Sequence, residues 1–83
     1  MIQKPLVNVN FPKSGMGIDE GTVLRWCKAV GNTVSKDELL VEIETAKAVQ
    51  EVLAPVGGVL REILVPTGET VPVNRPLAII EAT

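Results

Sequence analysis

Lys47 is the side chain of this sequence whose position most clearly suggests chemistry. It lies in the segment 44–48, Glu-Thr-Ala-Lys-Ala, between two predicted strands, residues 39–44 and 48–54. The chain must reverse between these strands within Thr45, Ala46 and Lys47, so a tight hairpin places the lysine in water. An exposed lysine amine is almost entirely protonated near pH 7 and is a weak nucleophile. Lys47 is therefore not expected to act as a catalytic base, and a second enzyme would have to deliver an activated carboxylate for its amine to form an amide.

Catalysis by the chain itself is not expected. The sequence has no histidine, so Ser14 and Ser35 lack the usual general base. Cys27 is the single cysteine, which excludes an internal disulfide and a zinc site built from cysteine and histidine. The acidic pairs at 19–20 and 37–38 are better explained as solvated loops than as paired catalytic carboxylates. We expect no catalytic residue and no metal site.

Length and charge narrow the class of protein further. The 83 residues include 8 basic and 10 acidic ones, and no run of Lys or Arg could hold phosphates. No stretch approaches the roughly 20 apolar residues of a membrane-spanning helix, and residues 1–10 do not resemble a signal peptide. Phe11 and Trp26 are the only aromatic residues, so the core must consist mostly of Val, Leu and Ile. We expect one intracellular domain, residues 1–83, without nucleic-acid or membrane partners.

An internal repeat organises the chain. Residues 21–46 align with residues 57–83 when Pro66 is left unmatched. The identical pairs are Gly21/Gly57, Val23/Val59, Leu24/Leu60, Arg25/Arg61, Gly31/Gly68, Thr33/Thr70, Val34/Val71, Leu40/Leu77, Ile43/Ile80 and Glu44/Glu81. The halves, approximately 5–46 and 48–83, therefore predict the same set of short strands, and Lys47 lies at the junction between them.

The repeat predicts an all-β fold. Eight short strands in two equivalent halves indicate two sheets packed face to face and related by a pseudo-twofold axis. The alternation of apolar and polar residues fails over residues 23–27, which predicts either a β-bulge there or burial of both faces of the strand. Four glycines are interpreted as turn residues with positive φ, namely Gly31, Gly57, Gly58 and Gly68.

These motifs resemble the lipoyl domains of 2-oxo acid dehydrogenase complexes. The similar segments cover nearly the whole chain: residues 11–17 (Phe-Pro-Lys-Ser-Gly-Met-Gly), 20–21 (Glu-Gly), 26–31, 44–48, 54–58 (Ala-Pro-Val-Gly-Gly) and 68–71 (Gly-Glu-Thr-Val). The resemblance implies a flattened barrel or sandwich of two four-stranded antiparallel sheets. It also implies lipoic acid in amide linkage to Lys47, at an exposed hairpin formed with Glu44, Thr45, Ala46 and Ala48.

The resemblance implies a function and partners as well. The domain would be a non-catalytic swinging-arm carrier of acyl groups and reducing equivalents in a 2-oxo acid or acetoin dehydrogenase complex. Its partners would be a lipoate ligase or lipoyl transferase, a thiamine-diphosphate-dependent decarboxylase, an acyltransferase domain and dihydrolipoyl dehydrogenase. The implied location is the bacterial cytoplasm, or the mitochondrial matrix in a eukaryote. The loop Pro12–Glu20 would lie near the lysine and help the decarboxylase to recognise the domain.

Two alternatives and one departure accompany this interpretation. A biotin carrier domain of a carboxylase would share the fold, but Ala46 and Ala48 replace the methionines that flank a biotinylated lysine. An unmodified interaction domain would leave Lys47 as an ordinary turn residue. The departure is Ala46, which stands where the lipoyl family usually has Asp, so the turn loses a side chain able to bond to its own backbone.

Overall fold

The computed structural model describes residues 4–13 and 17–83. Eight strands follow one another along the chain: β1 (Leu6–Asn10), β2 (Glu20–Trp26), β3 (Thr33–Val34), β4 (Leu39–Glu44), β5 (Val49–Leu53), β6 (Gly58–Ile63), β7 (Thr70–Pro72) and β8 (Pro76–Ala82). The described part of the chain contains no helix of the length and apolarity needed to cross a membrane. The predicted all-β fold is confirmed, and the predicted strands 39–44 and 48–54 end within one residue of β4 and β5.

The strands form two four-stranded sheets in which every pairing is antiparallel. One sheet has the order β1-β8-β6-β3 and the other the order β5-β4-β2-β7. Each sheet therefore takes two strands from each half of the repeat. Exchanging β1–β4 with β5–β8 converts one strand order into the other, as the predicted pseudo-twofold axis requires. Neither half forms a sheet of its own.

The apolar residues of both sheets meet in one core. Its buried members are Val9, Phe11, Val23, Val34, Leu40, Val41, Ile43, Val52, Ala54, Leu60, Val65, Val71, Leu77, Ala78 and Ile80. Trp26 is half-buried against this cluster, and its indole Nε1 donates a 2.8 Å hydrogen bond to the carbonyl of Val65. The predicted bulge is present, because the register of β2 on β4 shifts between Val23 and Arg25. Burial of these aliphatic side chains thus holds the two sheets together.

The alignment of the repeat is wrong by one residue over β2 and β6. The carbonyl of Val23 accepts a 2.8 Å bond from Gly68 N, and the carbonyl of Leu60 accepts a 2.7 Å bond from Gly31 N. Because the two glycines are equivalent, Val23 corresponds to Leu60 and not to Val59. Similar apolar residues occupy adjacent positions in these strands, so counting identities favours a register that the hydrogen bonds do not support.

The turn prediction is correct for two glycines and wrong for two. Gly31 and Gly68 have φ of 97° and 94°, whereas Gly57 and Gly58 have no positive φ. Gly58 instead lies inside β6, where its lack of a side chain permits close approach to β8. The sequence analysis missed Asp37 and Asn74, which have φ of 71° and 70° at equivalent positions of the two halves. Asp and Asn tolerate this left-handed conformation better than other side chains do.

Candidate functional site

The β4–β5 hairpin carries Lys47 at its tip. The strands pair with Glu44 opposite Val49, and Thr45 N donates a 2.9 Å hydrogen bond to the carbonyl of Ala48. Ala46 and Lys47 are therefore the two central residues of the turn. Both are exposed, as are Glu44 and Ala48 on either side. The structure brings together all five residues of the predicted hairpin segment and keeps the lysine on the surface.

The hydroxyl of Thr45 makes three hydrogen bonds within this turn. It donates to the carbonyl of Ala48 at 2.7 Å and accepts from the amides of Ala48 at 3.2 Å and Lys47 at 3.3 Å. One donor and two acceptor positions are all that a hydroxyl offers. The sequence analysis did not single out this role, although threonine is a known turn residue because its hydroxyl bonds to nearby backbone groups.

The described parts of the loop Pro12–Glu20 lie beside the hairpin. A Cβ placed on Gly17 would be 3.8 Å from Lys47 Nζ, so the lysine side chain extends alongside this glycine. At the start of the loop, Gln50 Nε2 in β5 donates a 3.2 Å hydrogen bond to the carbonyl of Pro12. Residues 14–16 of the predicted loop lie outside the described residues. Gly17 thus lies next to the lysine and Pro12 lies next to β5, while the role of the loop in partner recognition stays a prediction.

A groove of about 410 Å³ separates the end of this loop from the hairpin. Its lining includes the acidic residues Asp19, Glu20 and Glu44, together with Thr45 and Ala46 of the turn. The groove therefore presents negative charge and hydroxyl groups next to the lysine. The groove is partly open to solvent.

Electrostatic tuning is found away from the hairpin. A hydrogen bond from Lys28 lowers the pKa of Glu38, and a second one from the amide of Ser35 adds to this effect. The Lys28 Nζ to Glu38 Oε2 distance is 2.8 Å, and the Ser35 N to Glu38 Oε1 distance is 2.9 Å. Glu38 precedes β4 and so lies at the opposite end of that strand from the turn. These contacts stabilise the β3–β4 connection and supply no chemistry to Lys47.

A small β-sandwich with a lysine at the exposed tip of a two-residue hairpin has a geometry that suits a carrier domain. Residues 7–80 match the family model of biotin and lipoyl domains, described as biotin-requiring enzyme. The solution structure of the lipoyl domain of the Azotobacter vinelandii 2-oxoglutarate dehydrogenase complex is 40% identical, with a TM-score of 0.73. That similarity covers 93% of this chain and 99% of the Azotobacter domain. The chain belongs to the biotin/lipoyl family, as a lipoyl domain.

Longer relatives contain the same domain. The dihydrolipoyllysine-residue succinyltransferase component of the human mitochondrial 2-oxoglutarate dehydrogenase complex is 44% identical over 78 residues, which are 94% of this chain and 17% of that protein. The dihydrolipoyllysine-residue acetyltransferase component of the pyruvate dehydrogenase complex of Mycobacterium bovis is 46% identical over 70 residues. These residues are 84% of this chain and 13% of that protein. The chain spans 11% to 18% of the length of the curated relatives that it matches.

A carboxylase shares the fold at lower identity. Part of a single-chain long-chain acyl-CoA carboxylase superposes with a TM-score of 0.78 at 22% identity, over 94% of this chain and 7% of the carboxylase. The relationship shows a common architecture alone. The predicted membership in the lipoyl domains of acyltransferase components is confirmed by the more similar relatives.

Proposed function

We propose that Lys47 carries lipoic acid in amide linkage and that the domain is the non-catalytic swinging-arm carrier of a 2-oxo acid or acetoin dehydrogenase complex. The observation that carries this proposal is the exposed lysine at the tip of the β4–β5 turn, in a chain that belongs to the lipoyl domains. The arm would carry acyl groups and reducing equivalents between active sites.

The residues around Lys47 fit an acylated lysine. Ala46 and Ala48 have the smallest side chains that keep a Cβ, and both are exposed, so neither blocks the approach of a modifying enzyme. The ammonium first loses one proton to become a neutral amine. Its Nζ then forms a bond to the carbonyl carbon of an activated carboxylate, the bond from that carbon to the activating group breaks, and a second proton leaves Nζ for water. The lysine thereby loses its positive charge, and the formal charge of the chain changes from −2 to −3.

The contribution of the protein to the reaction is geometric. Lipoate held on Lys47 would supply a dithiolane, which is the group that can accept electrons and an acyl group. The β-sandwich holds the attachment point rigidly, while the lysine side chain and the group upon it can reach outward. Tethering raises the effective concentration of the group at each partner active site. A narrow hairpin suits this role, because the tip has to enter clefts of other enzymes.

The surface around the lysine is proposed to identify the domain to its partners. Glu44 and Thr45 precede the turn, Ala46 and Ala48 flank the lysine, and the loop Pro12–Glu20 lies alongside it. The proposed partners are a lipoate ligase or lipoyl transferase, a thiamine-diphosphate-dependent decarboxylase, an acyltransferase domain and dihydrolipoyl dehydrogenase. Acidic residues in the adjacent groove favour basic partner side chains.

The wider setting is also a proposal. Residues 1–83 would form one domain, with halves near 5–46 and 48–83, within a longer dihydrolipoyl acyltransferase or as its separate partner. The relatives come from bacterial and mitochondrial complexes, which supports a location in the bacterial cytoplasm or the mitochondrial matrix.

Intact-mass measurement after incubation with lipoate, ATP and a lipoate ligase tests the proposal. We expect one lipoyl group on the wild type and none on Lys47→Arg. Lys36→Arg is the matched control, because Lys36 is also an exposed lysine in a connection between two strands. This control variant should acquire one lipoyl group as the wild type does.

Three results would contradict the proposal. A lipoyl group on Lys47→Arg would place the attachment elsewhere. An adduct formed by a biotin ligase and not by the lipoate ligase would identify a biotin carrier. An unmodified wild type, with a known lipoyl domain fully modified in the same reaction, would leave an interaction domain as the remaining interpretation.

A further inference from the structure

The Lys47 turn lacks the usual means by which a two-residue hairpin is closed. Such turns favour residues with positive φ at one or both central positions, most often Gly or Asn, since this matches the twist of the strands. Ala46 and Lys47 have no positive φ. Ala46 also has no polar group with which to bond to the backbone. Neither a positive φ nor a side-chain bond from Ala46 therefore stabilises this turn.

Thr45 bonds to the turn with all of its hydrogen-bonding capacity. The hydroxyl accepts from the amides of Lys47 and Ala48 and donates to the carbonyl of Ala48, at distances from 2.7 to 3.3 Å. Because Thr45 N also donates to this carbonyl, one residue joins both strands across the turn. The bond to the amide of Lys47 fixes the backbone of the lysine itself. Thr45 is half-buried, whereas Glu44 and the three residues that follow Thr45 are exposed.

We propose that Thr45 is the positioning residue of the attachment site. Its hydroxyl keeps the Lys47 turn in the conformation that the modifying enzyme acylates, and it does so without a polar side chain at Ala46. This inference rests on the proposed function of Lys47. The substrate class it concerns is the activated carboxylate that the modifying enzyme delivers.

The expected kinetic effect follows from the fraction of molecules whose turn is closed. When only part of a population has the binding-competent conformation, the apparent affinity falls by that fraction. Thr45→Val keeps the shape of the side chain and removes the hydroxyl, so the turn opens and the enzyme must close it again. We expect KM for the domain to rise about fivefold, which corresponds to a closed fraction near one fifth, with kcat unchanged. Thr45→Ser retains the hydroxyl and should stay within about twofold of the wild type.

Steady-state lipoylation of the intact domain by a lipoate ligase is the test. The wild type, Thr45→Val and Thr45→Ser are compared with Thr33→Val, which removes the hydroxyl of an exposed strand threonine outside the hairpin. Amide hydrogen exchange by NMR provides the second measurement. In Thr45→Val, the amides of Lys47 and Ala48 should exchange faster, while core amides such as that of Ile43 keep their wild-type rates.

The outcomes separate this inference from the proposed function. Normal lipoylation of both the wild type and Thr45→Val would overturn the positioning role alone. A loss of kcat, or faster exchange throughout the core, would overturn it too, because it would indicate a general structural role. An unmodified wild type would refute the proposed function and the positioning role with it. A raised KM rescued by serine, with local exchange only, supports the inference.

Discussion

Gly58 and Gly57 are adjacent in sequence, yet the structure has space for an added methyl group only at Gly57. A Cβ on Gly58 would overlap the carbonyl oxygen of Glu81 and lie 2.9 Å from the Cα of Ala82, both in the neighbouring strand β8. A Cβ on Gly57 would have the carbonyl oxygen of Val34 as its nearest neighbour, at 3.6 Å, which is an ordinary contact. Gly58→Ala is therefore expected to separate β6 from β8, and Gly57→Ala to leave the fold intact.

The expected cost of Gly58→Ala has two parts. Forcing a methyl group into a packed site costs about 1 to 3 kcal/mol. Moving β6 away from β8 weakens the ladder where Gly58 faces Ala82, and each lost backbone hydrogen bond costs about 1 kcal/mol. A total of about 3 kcal/mol lowers the unfolding temperature of a domain of this size by roughly 12 to 24 °C. Gly57→Ala is expected to be neutral or to stabilise the fold by up to about 1 kcal/mol, because alanine restricts the unfolded chain.

Thermal unfolding followed by circular dichroism, confirmed by urea titration, measures both changes under one condition. Gly57→Ala is the matched control, since it makes the same chemical change one residue away. Equal shifts in the two variants would refute the assigned register of β6. An unfolding temperature of Gly58→Ala within about 4 °C of the wild type, which is roughly 1 kcal/mol or less, would refute the steric argument.

Three further predictions concern single side chains. The pKa of Glu38 lies below its ordinary value of 4.5 because of its bond with Lys28, so this contribution is complete above about pH 4.5 and is lost as pH falls through the lowered pKa. The unfolding temperature of Glu38→Gln should accordingly decrease less than that of the wild type as pH is lowered below 4.5. The same pH dependence in both proteins would contradict this prediction. Trp26→Phe removes the indole donor to Val65 and should cost about 1 kcal/mol in urea unfolding, a neutral result arguing against the bond. Ala46→Asp should alter the unfolding temperature by less than about 4 °C, because the Thr45 hydroxyl already bonds to the backbone groups of the turn. A larger increase would contradict this explanation.

Much of the fold could be predicted because one pattern occurs twice. Short alternating strands and repeated turn residues specify two equivalent halves, and neither half could bury an apolar face alone. The pattern also placed Lys47 at the junction between halves. The hairpin itself followed from how little chain remains between β4 and β5. These inferences depend on the periodicity of apolar residues and on the length of the connections, and both can be counted directly along the sequence.

The features that could not be predicted depend on contacts between distant segments. Gly57 and Gly58 look alike in sequence, and only the approach of β8 distinguishes them. Leaving Pro66 unmatched increased the number of identical pairs but gave the wrong register for β6. The three hydrogen bonds of the Thr45 hydroxyl could not be predicted, because a threonine hydroxyl in a turn can bond to any of several nearby backbone groups. In each case residue type allowed several roles, and the paired strand decided among them.

The proposed site coincides with the places where the molecule departs from its own symmetry. Thr45 N bonds to the carbonyl of Ala48 in one sheet, and Ala82 N bonds to the carbonyl of Pro5 at the equivalent position of the other. Only in the first case does a two-residue turn join the bonded residues directly.

The second departure lies beside the first. The connection 11–19 between β1 and β2 is longer than its counterpart 54–57 between β5 and β6, and Gly17 within it lies against Lys47. Symmetric strands thus build a rigid frame whose two ends would otherwise be alike. The turn and the longer loop make one end of the sandwich different from the other. A partner protein that contacts both the turn and the loop would therefore distinguish the lysine end from the opposite end.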